Sequence, residues 1–321
     1  MAENIIEYWR KESIKSLFSL KSLQNVWPIW QPEIRKRVPI VNANNIFNLG
    51  DGLYDIFYSS NKKAAGAITT VKDEQSEVST GGTVWEALVC WYLNLCLIGR
   101  NTVVIKHSKA LIPECISDAI TVQYNTNTSN TESDLIALTF PEHGMLSADK
   151  DALMLHDSTG APIPLRSRAG TYNLKAVIDS ISDELFDDIE IHIIQCKTNW
   201  NDNAQIPMLW DMVYSAQKFN RSITVGRNGR EINREKFTYS FVTVSTVRPS
   251  KIKSTSVCVK RVENLSGGNY WGRPSVSGVA KNVKEMLQRN LSNGHSNSVM
   301  TTLRNETGRS DFATTYDYFR L

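Results

Sequence analysis

The chain has 321 residues, which is enough for one large domain or two modest ones with ample room for a hydrophobic core. Hydrophobic residues make up 41% of the chain and charged residues 21%, a balance that excludes an intrinsically disordered protein. The formal net charge is only +3, so the overall charge by itself indicates no particular class of partner.

The sequence shows no targeting signal and no redox motif. Its five cysteines are scattered and form no CxxC pair. Four of them have apolar neighbours, so we expect buried thiols in a reducing compartment and neither a disulfide framework nor a zinc site. The N-terminus MAENIIEYWRKES contains no apolar signal region. The longest apolar helix candidate, 84–98, is too short to span a bilayer. These features predict a cytoplasmic protein without membrane association.

The first eighty residues combine helical and irregular patterns. Apolar residues follow helical spacing from Ile5 to Leu23, and WPIWQPEIRKRVP (27–39) predicts a connection interrupted by prolines. Gly and Asn then split the next stretch into short apolar runs. We expect residues 1–80 to form a helical and mixed region that packs on the domain that follows.

The clearest helix comes next. TVWEALVCWYLNLCLIG (83–99) is apolar nearly all round, which is typical of a buried helix. Gly81, Gly82 and Thr83 predict its start, and Gly99 predicts its end.

Three strong strands follow along the chain. NTVVIKH (101–107) predicts the first, and IPECISDAITVQY (112–124) predicts a helix that continues into a short strand. DLIALTFP (134–141) predicts the second strong strand. An insertion at about 142–187, which includes an amphipathic helix, leads to the third, IEIHIIQCK (189–197).

The last part of the chain adds a helix at about 204–219 and the strand KFTYSFVTVST (236–246). After Arg248 the sequence is basic and loop-rich, with one clear helix at 276–291. Because the three strong strands are apolar on both faces, they require helices on both sides. The sequence therefore predicts an α/β fold.

The third strong strand ends with polar residues that carry chemistry. Gln195 and Lys197 are two apart and so point to the same side of the strand. A lysine there can orient an attacking water or neutralise charge on a phosphate, and the Gln195 oxygen suits a hard cation such as Mg²⁺. Two isolated acids, Asp134 before an apolar run and Glu86 in an apolar helix, each require a partner or a metal ion.

This arrangement resembles the PD-(D/E)xK restriction-endonuclease-like nucleases over about residues 81–246. The resemblance implies a mixed sheet flanked by helices in αβββαβ order, with N-terminal and C-terminal additions. It assigns metal binding to Asp134, Gln195 and Glu86, and assistance to the attacking water to Lys197. Ser133 replaces the proline of the motif, the insertion lengthens the gap to the third strand, and Gln195 replaces an acid, as in the QxK form of Mrr-type nucleases.

Each of these four residues also has a structural interpretation. Gln195 and Lys197 are equally typical of a strand end that meets solvent. Glu86 could form a salt bridge with a nearby Lys or Arg, and Asp134 could be a turn acid that starts a strand.

Residues 221–290 contain 14 Lys/Arg and four Asp/Glu, a basic excess that indicates either a surface for polyanions or a solvated charged face. GRNGRE (226–231), SGGNYWGRP (266–274) and TNWND (198–202) contribute candidate DNA contacts, although a hairpin tip and an ordered loop are the structural alternatives for the first two. The candidate DNA-binding residues are Asn199, Asn201, Arg227, Arg230, Asn269 and Arg273.

Together these features predict a nuclease core at 81–247 and a basic C-terminal region at 248–321 with DNA-recognition elements. We expect a Mg²⁺-dependent endonuclease that cuts double-stranded DNA as a homodimer, most like a type II restriction enzyme. No GxxxxGK[ST] motif occurs, so no nucleotide cofactor is expected. The alternatives are a non-specific or modification-dependent defence nuclease and a non-catalytic DNA-binding protein on the same fold.

Overall fold

The structure is a computed structural model that describes residues 3–64, 71–106, 108–129, 133–157, 159–198, 205–220, 222–244 and 249–321. Within these ranges the side chains of 61–64, 71–80, 219–220 and 249 are not described.

The strands of the described residues form two sheets. They are β1 (Thr102–Lys106), β2 (Val122–Tyr124), β3 (Asn127–Ser129), β4 (Leu135–Thr139), β5 (Glu190–Lys197), β6 (Lys218–Asn220), β7 (Ile223–Val225), β8 (Phe237–Thr243), β9 (Gly268–Trp271) and β10 (Lys281–Asn282).

Helices surround both sheets. They are α1 (Ile5–Phe18), α2 (Lys21–Arg37), α3 (Ala43–Asn48), α4 (Leu53–Ala64), α5 (Val71–Cys96), α6 (Glu114–Ala119), α7 (Gly144–Ser147), α8 (Leu174–Glu184), α9 (Gln205–Ala216), α10 (Val257–Val262), α11 (Val283–Arg289), α12 (Val299–Thr307) and α13 (Phe312–Thr315). None of the described helices is long and apolar enough to cross a membrane.

The larger sheet has six strands in the order β1-β4-β5-β8-β9-β10. β4 is antiparallel to both β1 and β5, whereas β5, β8, β9 and β10 run parallel to one another. The smaller sheet, in the order β3-β2-β7-β6, is antiparallel throughout. The prediction of an α/β fold with a mixed sheet flanked by helices is confirmed.

Two hydrophobic cores cover the two faces of the six-stranded sheet. Ile194 and Cys196 of β5 belong to the first core, which includes the buried face of α5. Ile191 and Ile193, one position out of phase, belong to the second core with residues of α6, α8 and α9. Residues of β5 other than its two ends are buried, because both faces are covered. All five cysteines are unpaired and buried, whereas the sequence predicted burial for four of them.

Two sequence predictions in the N-terminal part are wrong. The segment that contains Pro28 and Pro32 is not a connection but lies within α2. Each proline removes one backbone donor, but Trp27 and Trp30 are buried on this helix, and their burial favours the helical conformation over the cost of the prolines. The helix predicted to start at Gly81 also starts earlier, at Val71, because those glycines continue α5.

The C-terminal region is more regular than predicted. The Gly-rich segment expected to be a loop contains β9, which pairs in parallel with β8. The helix predicted over 276–291 begins only at Val283. Asn282 caps it through a reciprocal capping box with Glu285, so β10 ends where the helix begins.

Arg10 connects α1 to the start of the six-stranded sheet. Its side chain is fully buried. It donates hydrogen bonds to the carbonyl oxygens of Thr102 and Arg100, both at 2.8 Å, and to Asn94 Oδ1 at 3.3 Å. Its Nε also pairs with Glu7 at 3.1 Å. One side chain therefore satisfies acceptors on α1, α5 and the chain that enters β1.

We expect Arg10→Met to lower the free energy of unfolding by about 3–5 kcal/mol, the cost of removing one partner from a buried charged network. Lys11→Met is the matched control, because Lys11 pairs with Glu3 on the surface at 3.0 Å with 29% of its side chain exposed. That change is expected to cost less than about 1 kcal/mol. Urea denaturation measures both, and equal small effects would contradict the anchoring role of Arg10.

Candidate active site at one edge of the sheet

Strand direction brings three charged residues to one edge of the six-stranded sheet. β1 and β5 run in the same direction with β4 antiparallel between them, so the ends of β1 and β5 meet the start of β4. Lys106 ends β1, Lys197 ends β5, and Asp134 directly precedes β4. Charged side chains can occupy these positions because the strand ends, unlike the strand centres, reach water.

Asp134 is held by β5. Its Oδ2 accepts a hydrogen bond from the backbone N–H of Cys196 at 2.8 Å. The same oxygen pairs with the Lys197 ammonium at 3.3 Å. The two side chains are mostly buried, with 14% of Asp134 and 27% of Lys197 exposed. A carboxylate and a lysine that are 63 residues apart in sequence are thus fixed side by side.

Glu86 reaches the same edge from α5. Its Oε2 forms an ion pair with the Lys106 ammonium. Burial raises the pKa of the Glu86 carboxyl above its ordinary value, an effect that Lys106 opposes. The Asp134 carboxylate adds to the increase and Lys197 opposes it, so the four groups act on one another. We call Glu86, Lys106, Asp134 and Lys197 the charge cluster.

Each carboxylate of the charge cluster has one oxygen engaged and one open. Lys106 contacts Oε2 of Glu86, and both Cys196 and Lys197 contact Oδ2 of Asp134. Within the described ranges, no group donates a hydrogen bond to Glu86 Oε1 or Asp134 Oδ1. Two open carboxylate oxygens at one half-buried edge are suitable ligands for a hard cation.

A closed metal cage is not present in the described part of the chain, where no three Asp, Glu, His or Cys side chains are grouped to hold an ion. Mg²⁺ commonly uses only one or two carboxylates and completes its shell with water and substrate phosphate. The two open oxygens fit this second mode of binding.

Gln195 lies next to the charge cluster but faces a different partner. Its side chain is fully buried. Its Oε1 accepts a hydrogen bond from the Tyr239 hydroxyl at 3.0 Å, within the second core and on the face opposite α5. The proposed role of Gln195 as a metal ligand stays a prediction, and one lone pair of its side-chain oxygen is engaged by Tyr239.

Two neighbouring residues constrain the chemistry of this edge. Burial raises the pKa of the Cys196 thiol well above its ordinary value, so the thiol remains protonated and is a poor nucleophile. Thr243 lies opposite Lys197 in the β5–β8 pair and is fully buried. Its hydroxyl has no hydrogen-bond partner among the described residues, which leaves a polar atom beside the lysine.

The two hairpin arginines predicted to contact DNA already have carboxylate partners. Arg227 Nε pairs with Asp118 at 2.6 Å, and Asp118 is buried. Arg230 pairs with Asp183 and stacks on Phe186 with its guanidinium 4.9 Å from the ring centre. These contacts fit the structural alternative of an ordered hairpin tip, and DNA contact by either arginine stays a prediction.

Of the other four candidate DNA contacts, two lie in the described part of the chain and have partners within the protein. Asn269 lies in β9 and donates to the Val279 carbonyl at 2.8 Å. The Arg273 guanidinium stacks on Tyr54, 3.2 Å from the ring centre. Asn199 and Asn201 lie outside the described residues. Contact with DNA stays a prediction for all four residues.

Lys106 is the member of the charge cluster that the sequence analysis missed. The signal was present, because TVVIK and IIQCK are both apolar runs that end in lysine. Only the sheet order shows that the two lysines reach the same edge on either side of Asp134. The predicted alternative for Glu86, a salt bridge with a lysine, is therefore observed.

A search against models of known protein families and against curated protein sequences finds no match for this chain.

We expect Gln195→Glu to reduce stability by on the order of 3 kcal/mol at neutral pH, because it places a carboxylate in a fully buried position. Burial raises the pKa of the new carboxyl in the folded state, so the loss grows as pH rises above about 4.3 and is small below it. Thermal unfolding at acid and neutral pH measures this dependence.

The same unfolding experiment, repeated with Mg²⁺, distinguishes a buried core position for residue 195 from a metal-ligand role. We expect added Mg²⁺ to leave the Gln195→Glu variant destabilised, because the side chain faces Tyr239. Recovery of wild-type stability in Mg²⁺ would instead assign position 195 to a metal site.

Proposed function

We propose that the protein is a Mg²⁺-dependent endonuclease that hydrolyses phosphodiester bonds in double-stranded DNA, on a PD-(D/E)xK-like core. The observation that carries this proposal is the meeting of Asp134 and Lys197 at 3.3 Å, with Glu86 of the preceding long helix at the same edge. The elements of the proposed core occur in the order α5, β1, β4, β5, α9 and β8, which supports the αβββαβ arrangement.

The residues of the charge cluster supply two kinds of chemistry. Asp134 and Glu86 would hold Mg²⁺ through their open oxygens, and the bound ion would polarise a phosphate and activate water. Lys197 stands beside Asp134 with part of its side chain exposed, so its ammonium can orient an attacking water or neutralise charge that develops on the phosphate. The Cys196 amide fixes the Asp134 carboxylate for this purpose.

The partner proposed here is duplex DNA, bound by two copies of the chain. An enzyme that cuts both strands with one site per chain requires two sites, and a two-fold homodimer provides them. The exposed lysines 251, 253, 260 and 281 of the C-terminal region form no ion pair with any described residue, so they are available to phosphates.

Asp134→Asn should abolish Mg²⁺-dependent plasmid cleavage but retain DNA binding in Ca²⁺, because the change removes a metal ligand and leaves the protein surface intact.

Lys197→Gln should lower the cleavage rate by about 10²-fold or more, the scale of a lost acid–base or electrostatic group. Glu12→Gln and Lys15→Gln, from a surface ion pair at 2.8 Å, are the matched controls and should cut at the wild-type rate.

The pattern of products tests the proposal against its alternatives. Discrete fragments support a sequence-specific enzyme, and a smear supports a non-specific defence nuclease. DNA binding without cleavage at any Mg²⁺ concentration would make the protein a non-catalytic DNA-binding protein. Wild-type cleavage by Asp134→Asn would remove this edge of the sheet from the mechanism.

Lys251→Gln together with Lys253→Gln should weaken DNA binding and flatten its salt dependence. If both lysines neutralise phosphates, the slope of log K against log salt should become smaller by about 1.8, since each phosphate contact contributes about 0.9. Lys11→Gln with Lys15→Gln, on α1, is the control with the same charge change. Titrations at several salt concentrations measure the slopes, and equal slopes in all three proteins would place DNA elsewhere.

A further inference from the structure

The charge cluster contains one more lysine than the proposed nuclease chemistry requires. Lys197 pairs with Asp134, and Lys106 pairs with Glu86, so two ammonium groups balance two carboxylates. All four side chains are partly buried, with exposed fractions between 14% and 27%. In such surroundings each charge interacts with its neighbours more strongly than it would in water.

A balanced cluster is a weak site for a divalent cation. A cation at the open oxygens of Glu86 and Asp134 would raise the net charge of the cluster from zero to +2. A phosphate that arrives with the cation lowers this excess and gives the lysines a new partner. Electrostatics therefore favours the joint binding of cation and phosphate over the binding of the cation alone.

Lys106 lies where it can exchange its ion-pair partner when a ligand binds. It is the last residue of β1, and 21% of its side chain is exposed. A lysine ammonium on a flexible four-carbon stem can change partner without a change in the backbone. No other described residue forms an ion pair with Glu86, so Lys106 is the cation in direct contact with that carboxylate.

We propose that Lys106 controls cation binding at the site. While the site is free of phosphate, the Lys106 ammonium pairs with Glu86. When cation and DNA bind together, the ammonium leaves Glu86 and pairs with the phosphate. This inference rests on the proposed function for the identity of the phosphate, but the control of cation affinity follows from the charge cluster itself. Lys106 is in this sense a positioning residue for Glu86.

Mn²⁺ titration without DNA tests the proposal. Lys106→Gln leaves the cluster with a net negative charge, so its Mn²⁺ dissociation constant should fall by about tenfold, the scale on which one nearby charge changes the ionisation of its neighbour. Lys106→Arg preserves the charge and should bind Mn²⁺ as the wild type does. Lys109→Gln, an exposed lysine three positions along, controls for the loss of any local charge. The paramagnetic resonance signal of free Mn²⁺ reports the bound fraction.

A second measurement follows the coupling with DNA. A short duplex in the presence of Ca²⁺ should increase the apparent cation affinity of the wild type more than that of Lys106→Gln, because the variant has no ammonium to release. Lys106→Met, which keeps the aliphatic stem, replaces Lys106→Gln if thermal unfolding shows that the glutamine variant does not fold.

The outcomes separate this inference from the proposed nuclease activity. If the wild type cuts DNA and Lys106→Gln binds Mn²⁺ with wild-type affinity, the control by Lys106 is wrong and the nuclease stands. If no variant cuts DNA but Lys106→Gln binds Mn²⁺ more tightly, the control stands and the nuclease fails. Absence of Mn²⁺ binding by every protein, both with and without duplex DNA, would overturn both.

Discussion

The constraint on which the site depends is that β1, β4 and β5 are buried on both faces. A charge in the middle of such a strand would have no water and no partner, so ionisable residues are confined to the strand ends. β4 runs against β1 and β5, which places its start between their ends. The concentration of Asp134, Lys106 and Lys197 at one edge therefore follows from strand direction, and the Glu86 side of α5 completes it.

The pairing within the charge cluster links stability to function. A half-buried carboxylate without a partner is costly, and each lysine of the cluster offsets part of that cost for one acid. The same contacts occupy groups that hydrolysis would need to use. If such a site is stable without ligand and reactive when ligand binds, its ion pairs must exchange partners. Lysine is well suited to this exchange, because its ammonium is on a flexible stem. The open oxygens of Glu86 and Asp134 allow this exchange to begin before either ion pair breaks.

The strong strands could be predicted from the sequence, because strands that are buried on both faces consist almost entirely of apolar residues. The prediction that Asp134 and Lys197 share a site came from the order of the strong strands together with the resemblance to the PD-(D/E)xK nucleases. The Glu86–Lys106 pair required the sheet order, which one-dimensional periodicity does not contain. The contact of Gln195 with Tyr239 could not be predicted, because it depends on which face of β8 carries the Tyr239 hydroxyl. α2 was missed because local proline signals were outweighed by the burial of its tryptophans.

The basic excess of residues 221–290 has a different meaning once its partners are known. Arg227, Arg230, Lys236 and Lys284 form ion pairs with acids outside that stretch: Asp118, Asp183, Asp188 and Asp51. Part of the excess is therefore internal to the fold and does not contribute to a surface field. The exposed lysines 251 and 253 form no ion pair with any described residue, so their charge is not used within the described part of the fold. Under the proposed function, these lysines, and not the total basic excess of the stretch, would supply the attraction for DNA.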